Sequence, residues 1–411
     1  METLEETYRG CRPHVLAATV RLTRDLDLAE ECVQEACVRA LTSWREQVPA
    51  NPAAWLTTTA RNLAIDRLRR EATWRRKLPL LVVDTEPDDE PGLDLLRLMF
   101  VCCHLALAPP ARLALTLRLL GGLSVEEIAA GLLVRPATVA ARITRAKRKI
   151  AAAGLPFAVP SGPELTHRLD DVLAVIYLIH TTGHAPADGQ TAVRGDLAAK
   201  ARELARLLVG CLPESAEAVG LLALCLLDDA RAPGRHHPEA GLVLLADQDR
   251  SGWDPSLRLA GLAAATRALR LGISAGQLGR YTLQAAISGL HAQAPNAAAT
   301  NWDAILTLYD GLLRVWPNPV VALNRLAAAS LAPGADLAAI LAELDQLAAG
   351  STLRDYRYLA ATRADLLRRL GRRTEAASAY TQALSLTRNG AERDFLQRRL
   401  AEVTEPGSVS D

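Results

Sequence analysis

The chain has 411 residues, of which 50% are hydrophobic, and a formal net charge of +1. At roughly 100–200 residues per domain this length predicts two to four folded units, and the near-neutral charge excludes a global basic field, so any nucleic-acid contact must use local patches. Ala and Leu dominate and aromatic residues make up only 4%, which favours helices over sheets. We therefore predict an all-α protein.

The seven cysteines and the N-terminal sequence indicate the compartment. An odd number of cysteines without a CxxC spacing is typical of reduced thiols rather than of a disulfide framework. The opening METLEETYRG is acidic and polar, unlike a signal peptide, and no apolar run reaches the roughly 18–20 residues of a membrane span. We expect a soluble, cytoplasmic protein without a membrane partner.

Residues 1–77 are predicted to form one compact helical unit. Apolar residues recur at three- and four-residue intervals in a helix that opens at Leu26, and a second helix starts at Ala53 after a proline-containing break. Residues 61–77 carry seven Arg or Lys against two acids. Residues 84–94 then hold six acids and no base, so we predict an acidic linker over 78–94.

Residues 95–153 form a second predicted unit that contains a helix-turn-helix. Ser124 and Glu127 have the spacing of a capping box, and Pro136 suits the first position of a second helix. Val139, Ile143 and Ala146 would face inward, which leaves the basic residues outside. The alternative is a surface helix with solvated charges.

Six basic residues and no acid lie in 135–149, so the second helix suits the major groove. We predict contacts at or near base edges for Arg135, Thr138 and Arg142, and phosphate contacts for Arg145, Lys147, Arg148 and Lys149. Earlier in the chain, Arg61, Asn62 and Asp66 fall on one side of a helix and could read an unstacked base. An amphipathic helix with a basic end is the alternative there.

Three segments of the chain, residues 28–41, 52–70 and 122–150, follow one another in the same order as in the extracytoplasmic-function (ECF) sigma factors of the sigma-70 family, and they resemble them. Residues 28–41 are similar to the helix that docks on RNA polymerase, 52–70 to the helices that capture the −10 element, and 122–150 to the −35 module. The resemblance implies two partners, promoter DNA and core RNA polymerase, the latter through the clamp helices of the largest subunit and the flap of the second. One departure is Arg135, a poor helix cap where many relatives carry Ser or Asp.

The resemblance also assigns residues to two further surfaces. It implies polymerase docking by Glu31, Gln34, Glu35 and Arg39. For the −10 element it implies DNA contacts, with Asn62 at the pocket for a flipped base, by Trp55, Arg61, Asn62, Asp66, Arg67, Arg69 and Arg70.

Residues 164–405 are predicted to form an all-helical extension of tetratricopeptide-like hairpins. Small and large residues at hairpin positions support this: Ala364, Gly371, Ala376, Tyr380 and Ala383, with a fainter copy at Ala327, Gly334 and Ala339. Segments 247–254, 281–287 and 302–325 resemble the C-terminal extension of a sigma-factor subgroup with such tails. That resemblance implies modulation of sigma activity in cis, through a protein or a small-molecule ligand.

No catalytic, metal or cofactor site is expected. We interpret Cys102-Cys103-His104 as a buried helix face, because adjacent cysteines do not readily fill two corners of one zinc site. The acids Asp247, Asp249 and Asp254 lack the glycine and glutamate of a calcium loop and are read as a structural turn. The alternative to a sigma factor is a polymerase-independent helix-turn-helix regulator with a helical sensor domain, and only a sigma factor needs the 28–70 segment.

Overall fold

The computed structural model describes residues 2–44, 49–74, 91–132, 134–184, 195–237, 241–350 and 352–404. These residues form eighteen α-helices and one antiparallel pair of two-residue strands, β1 (His236–His237) and β2 (Gly241–Leu242), which confirms the all-α prediction. The chain divides into two compact units, Met1–Leu178 and Ile179–Asp411. None of the described helices has the length and apolarity to cross a membrane.

The first unit contains seven helices and most of an eighth. They are α1 (Glu2–Thr23), α2 (Leu26–Ser43), α3 (Pro52–Trp74), α4 (Pro91–Cys102), α5 (Pro109–Leu119), α6 (Val125–Leu132), α7 (Pro136–Ala152) and α8 (Pro163–His184).

The starts of α2 and α3 follow local rules. Asp25 caps α2, accepting hydrogen bonds from the backbone N–H groups of Asp27 and Leu28 at 2.8 and 3.0 Å. Helix α3 begins at Pro52, one residue before the predicted start, because proline already has a helical φ and lacks an N–H group that the first turn would leave unpaired. Leu16, Leu56 and Ala60 are buried in this unit.

The predicted acidic linker is wrong at its C-terminal end. Residues 78–90 lie outside the described residues, but α4 already begins at Pro91. Asp94 is buried and forms ion pairs with Arg97 at 2.7 Å and Arg21 at 3.3 Å. These partners neutralise the carboxylate, and the helix dipole also favours a carboxylate in the first turn of a helix. Asp94, the last acid of the predicted linker, therefore belongs to the core.

The predicted boundary near residue 163 also differs from the structure, in which the division between units falls inside α8. The first half of α8 is held by the first unit. Arg168 donates a hydrogen bond to the Phe100 carbonyl at 2.6 Å, and Asp171 pairs with Arg112 at 2.9 Å. The Gly/Pro-rich segment at 154–163 therefore ends α7 without ending the unit.

The second unit continues from α8 through ten helices. They are α9 (Gly195–Cys211), α10 (Ala216–Ala230), α11 (Pro255–Ser274), α12 (Arg280–Gln293), α13 (Trp302–Val315), α14 (Pro319–Leu331), α15 (Leu337–Gly350), α16 (Arg357–Arg369), α17 (Arg373–Leu386) and α18 (Gly390–Thr404).

Helices α10 and α12 approach closely because Gly220 has no side chain. A Cβ at Gly220 would lie 2.7 Å from the backbone nitrogen of Thr282. One turn earlier, Glu217 accepts hydrogen bonds from the N–H groups of Tyr281 and Thr282 at 2.9 and 3.0 Å. Glu217 thus caps the start of α12 from a neighbouring helix.

The predicted hairpin near the C-terminus is confirmed. Gly371 has φ +74° and connects α16 to α17, a conformation that favours glycine. The four other hairpin positions are buried: Ala364, Ala376, Tyr380 and Ala383.

The fainter upstream copy is only partly right. Gly334 has the same φ of +74° between α14 and α15. However, Ala339 is exposed and its neighbour Ile340 is buried. The buried side chain is therefore one position later than predicted, and it is an isoleucine rather than an alanine. The backbone turn repeats while the packing does not.

The acids at 247–254 form the structural turn that was predicted. Asp249 accepts a hydrogen bond from the N–H of Ser251 at 2.9 Å, and Asp254 caps α11 through the N–H of Leu257 at 2.9 Å. Between them Arg250 is buried and donates to the carbonyl groups of His291 and Ala294 at 2.7 and 3.0 Å. This segment anchors the end of α12.

Candidate nucleic-acid interface

The helix-turn-helix has the predicted local geometry. Ser124 Oγ accepts a hydrogen bond from the Glu127 N–H at 3.0 Å, and Glu127 Oε2 accepts one from the Ser124 N–H at 2.7 Å. Both bonds of the capping box are therefore present. Helix α7 begins at Pro136, and Arg135 occupies its N-cap position without a side-chain capping bond.

The two faces of α7 separate apolar and basic residues. Its buried residues are Val139, Ile143, Ala146 and Ile150. Arg135, Arg145, Arg148 and Lys149 are exposed, and Thr138 and Arg142 are half-buried. Six of the seven residues predicted to contact −35 DNA are therefore at least partly accessible.

Lys147 is the exception, because its ammonium is directed into the unit. Nζ lies 2.6 Å from Asp27 Oδ1 and 2.5 Å from Glu30 Oε2, both on α2, and the side chain is only 11% exposed. Burial by itself would lower the pKa of Lys147, but the carboxylates of Glu30 and Asp27 outweigh it and raise the pKa. Lys147 is thus a fixed cation at an internal contact, and its predicted phosphate contact stays a prediction.

Glu30 is the centre of that contact. Its buried carboxylate also meets Arg12 of α1 at 2.9 Å and Arg118 of α5 at 3.5 Å, and Arg12 donates to the Arg118 carbonyl at 2.9 Å. One anion therefore joins α1, α2, α5 and α7. Sequence reasoning missed these residues, although an acid among the buried residues Ala29, Cys32 and Val33 was a signal.

Three of the four predicted docking residues and one predicted −10 residue form a second ionic network. Arg67 of α3 pairs with Glu31 and, at 3.1 Å, with Glu35, both on α2. Glu35 also pairs with Arg39 at 2.7 Å, and its pKa is lowered by the hydrogen bond from Arg39 first and by that from Arg67 as well. Gln34 is exposed beside them.

A cleft of about 460 Å³ lies between α2 and α3. It is lined by Val38, Arg39, Thr42, Ser43, Trp55, Thr59 and Asn62, and its volume lies within the roughly 300–1,000 Å³ of small-molecule sites. Trp55 is held by an edge-to-face contact with the buried Trp44, at a centroid distance of 5.3 Å. The cleft brings together Trp55 and Asn62, predicted for the −10 element, and Arg39, predicted for docking.

The other predicted −10 residues continue along the exposed side of α3. Arg61, Asp66, Arg69 and Arg70 are exposed there, and Arg70 Nε donates to the Asp66 carbonyl at 3.3 Å. An aromatic ring, an amide and several cations on one surface suit a single strand with an unstacked base.

Comparisons with known proteins identify the families to which these segments are similar. Residues 7–74 match the Sigma-70 region 2 family, and residues 97–150 match the Sigma-70, region 4 family. Residues 168–269 match a family of unknown function, DUF6596. No solved structure matches the chain.

Two proteins with similar sequences extend the comparison. It is 39% identical over 415 residues to an uncharacterized protein of Rhizobium meliloti (strain 1021), covering 98% of this chain and 96% of that protein. It is 29% identical over 161 residues to the ECF RNA polymerase sigma factor SigE of Mycolicibacterium smegmatis (strain ATCC 700084 / mc(2)155), covering 36% of this chain and 61% of that protein.

A region 2 followed by a region 4 defines an RNA polymerase sigma factor, a DNA-binding protein of transcription initiation. The two sigma-70 regions and the likeness to an ECF RNA polymerase sigma factor support an ECF-type sigma-70 factor, and residues 168–269 of its C-terminal extension carry the DUF6596 domain. It therefore binds core RNA polymerase and promoter DNA, and sigma-factor families are not enzymes.

Proposed function

We propose that two surfaces of the first unit recognise different parts of the promoter. Residues 1–77 dock on the clamp helices of the largest polymerase subunit through Glu31, Gln34, Glu35 and Arg39. The α2–α3 cleft captures a flipped −10 base, and residues 95–153 hold the −35 duplex through α7 beside the flap of the second subunit. The protein catalyses nothing itself and works in the cytoplasm, where its polymerase is.

The observation that carries this proposal is the common cleft of Arg39, Trp55 and Asn62. A helix-turn-helix regulator that binds only duplex DNA needs no site for an unstacked base. An open cleft lined by an aromatic ring and an amide, beside a row of surface ion pairs, suits single-stranded DNA held close to a protein partner.

Core-polymerase binding tests the docking part. Full-length protein with Gln34→Ala is compared with a Gln382→Ala control on α17 in the second unit. Gln34→Ala should weaken capture of core polymerase, and the control should not. Equal capture by both variants would contradict docking through this part of α2.

We also propose that the second unit, which follows residue 178, modulates initiation in cis. Its stacked helical hairpins offer an extended surface for a protein or a small molecule, as helical repeats generally do. In vitro transcription with the full chain and with residues 1–184, which keep α8 whole, tests this. The two proteins should differ in transcript yield per bound polymerase, with circular dichroism checking that residues 1–184 remain helical. Equal yields would remove the modulating role.

A further inference from the structure

The second unit contains a group of potential metal ligands that promoter recognition does not use. His180 and His184 lie one turn apart on α8, with their rings stacked at a centroid distance of 5.5 Å. Asp228 on α10 faces them, and its Oδ2 lies 3.0 Å from His180 Nε2. One ligand atom of each residue lies within 4.8 Å of the other two.

These side chains are shielded from water. The side chains of His180 and Asp228 are 1% and 13% exposed, and His184 is 8% exposed. The Nδ1 atoms of both histidines are buried without a hydrogen-bond partner. A buried polar atom of this kind is unfavourable, and metal binding is a reason for keeping two histidines in this buried position.

A fourth donor lies on the same face of α10. Cys225 is one turn before Asp228, is fully buried, and lies near the His180 ring. The spacings H-x₃-H and C-x₂-D place each pair on one side of its helix. Imidazole, thiolate and carboxylate are the three ligand types of protein zinc sites.

We propose that His180, His184 and Asp228, with Cys225 as the fourth donor, bind a divalent transition-metal ion, for which Zn²⁺ is the best match. Three donors already lie close together, and two from each of two helices complete a four-coordinate set. The second unit would then be crosslinked between α8 and α10. This site is independent of the proposed division of promoter recognition.

Two arginines limit the affinity. His184 Nε2 accepts a hydrogen bond from Arg231 at 2.8 Å and another from Arg235, although a ring nitrogen has a single lone pair. A metal on this nitrogen displaces both. Arg231 then still pairs with Asp228 Oδ1, which lies 3.2 Å away, and Arg235 has the carboxylate of Glu392 nearby. Because the two cations stay close, we expect a dissociation constant of about 1 μM, weaker than in closed structural zinc sites.

Zinc titration of the full-length protein tests the site. The protein is stripped with EDTA, dialysed and titrated with ZnCl₂ by calorimetry. We compare His184→Gln and Asp228→Asn with His237→Gln, which changes an exposed histidine of the same unit. One equivalent of Zn²⁺ should bind to the wild type and to His237→Gln with the same affinity. The affinity of the two site variants for Zn²⁺ should be lower by about tenfold or more.

Less than half an equivalent bound to the wild type, or the same affinity in all three variants, would overturn the proposal. Circular dichroism checks that each variant is folded, and His184→Gln decides alone if Asp228→Asn does not fold. Cobalt reports on Cys225: the wild type should show a near-ultraviolet thiolate-to-cobalt band that Cys225→Ser lacks. A wild-type cobalt complex without that band would exclude Cys225 as a ligand. Because these readouts do not involve polymerase, failure here leaves the proposed promoter recognition standing.

Discussion

Lys147 on α7 and Glu30 on α2 form an ion pair, with Nζ and Oε2 2.5 Å apart and both side chains about one-tenth exposed. This pair joins region 4 directly to region 2. By their names, the −10 and −35 elements lie about 25 base pairs apart, or roughly 85 Å of duplex at 3.4 Å per base pair. We therefore expect this contact to open when both elements are held, which releases Lys147 for DNA.

Replacing Asp27 tests whether this contact competes with DNA. Asp27→Asn removes one of the two partners of Lys147, and Asp27 is 69% exposed, so the folding cost is small. We expect promoter affinity of the holoenzyme to rise about two- to fivefold, in line with the value of an exposed ion pair, as measured by fluorescence anisotropy. Glu126→Gln, which changes an exposed acid of α6, is the control. Unchanged affinity in Asp27→Asn would mean that the contact does not limit binding.

The basic face of α7 should set the salt dependence of binding. Arg142→Ala and Arg145→Ala remove cations that are accessible on this face. Promoter affinity should fall, and the slope of log affinity against log salt should flatten by about one unit for each phosphate that is no longer neutralised. Arg325→Ala, which changes a partly exposed arginine paired with Asp310 in the second unit, should leave the slope alone. A slope that stays the same in Arg142→Ala and Arg145→Ala would refute the placement of α7 in the groove.

Asn62 should matter for strand opening more than for duplex binding. Asn62→Ala removes an amide from the α2–α3 cleft, and removing hydrogen bonds to one base edge costs about 1–3 kcal/mol. We expect open-complex formation, followed by 2-aminopurine fluorescence at the −10 element, to fall about tenfold while −35 binding is kept. Thr57→Ala on the same helix is the control, because the Thr57 hydroxyl bonds the Ala53 carbonyl. Equal loss in both variants would indicate general damage to α3.

His291 should make the stability of the second unit depend on pH. Burial lowers its pKa to about 4, and Arg231 and Arg250 nearby add to the effect, while Asp228 opposes it. Because the unfolded chain has the higher pKa, it binds more protons between pH 6.5 and 4. The free energy of unfolding should therefore fall as the pH falls through this range, by at most about 3 kcal/mol.

Urea denaturation at pH 7 and pH 5 measures this dependence. His291→Phe keeps a ring against Trp302, which His291 contacts edge-on at a centroid distance of 5.5 Å. The variant should lose less stability than the wild type between the two pH values. An identical loss would assign the pH dependence to other groups, such as His184, whose pKa is also lowered by burial.

Local patterns in the sequence predicted local structure well. The capping box of Ser124 and Glu127, the start of α7 at Pro136 and the turn at Gly371 each depend on residues within a few positions of one another. Contacts between distant residues could not be predicted. Glu30 and Lys147 are 117 positions apart, and nothing in either helix identifies its partner.

The same limit applies to the metal ligands. The i,i+4 spacing of His180 and His184 is visible in the sequence, but such pairs are common on helices. Asp228, the third ligand, lies 48 positions from His180 and becomes its neighbour only through the packing of the second unit. Buried charged residues in the middle of apolar helix faces, such as Glu30, are the signal that sequence reasoning passed over.

The buried thiols of α4 and its C-terminal end have a practical consequence. Cys102 and Cys103 are fully shielded from solvent; burial raises the pKa of Cys103 to about 12 and that of Cys102 well above its usual range. Thiolates react and thiols do not, so an alkylating reagent cannot modify these two side chains while the first unit stays closed. The rate at which they are alkylated therefore measures how often this unit opens, and mass spectrometry can follow it in the unsubstituted protein.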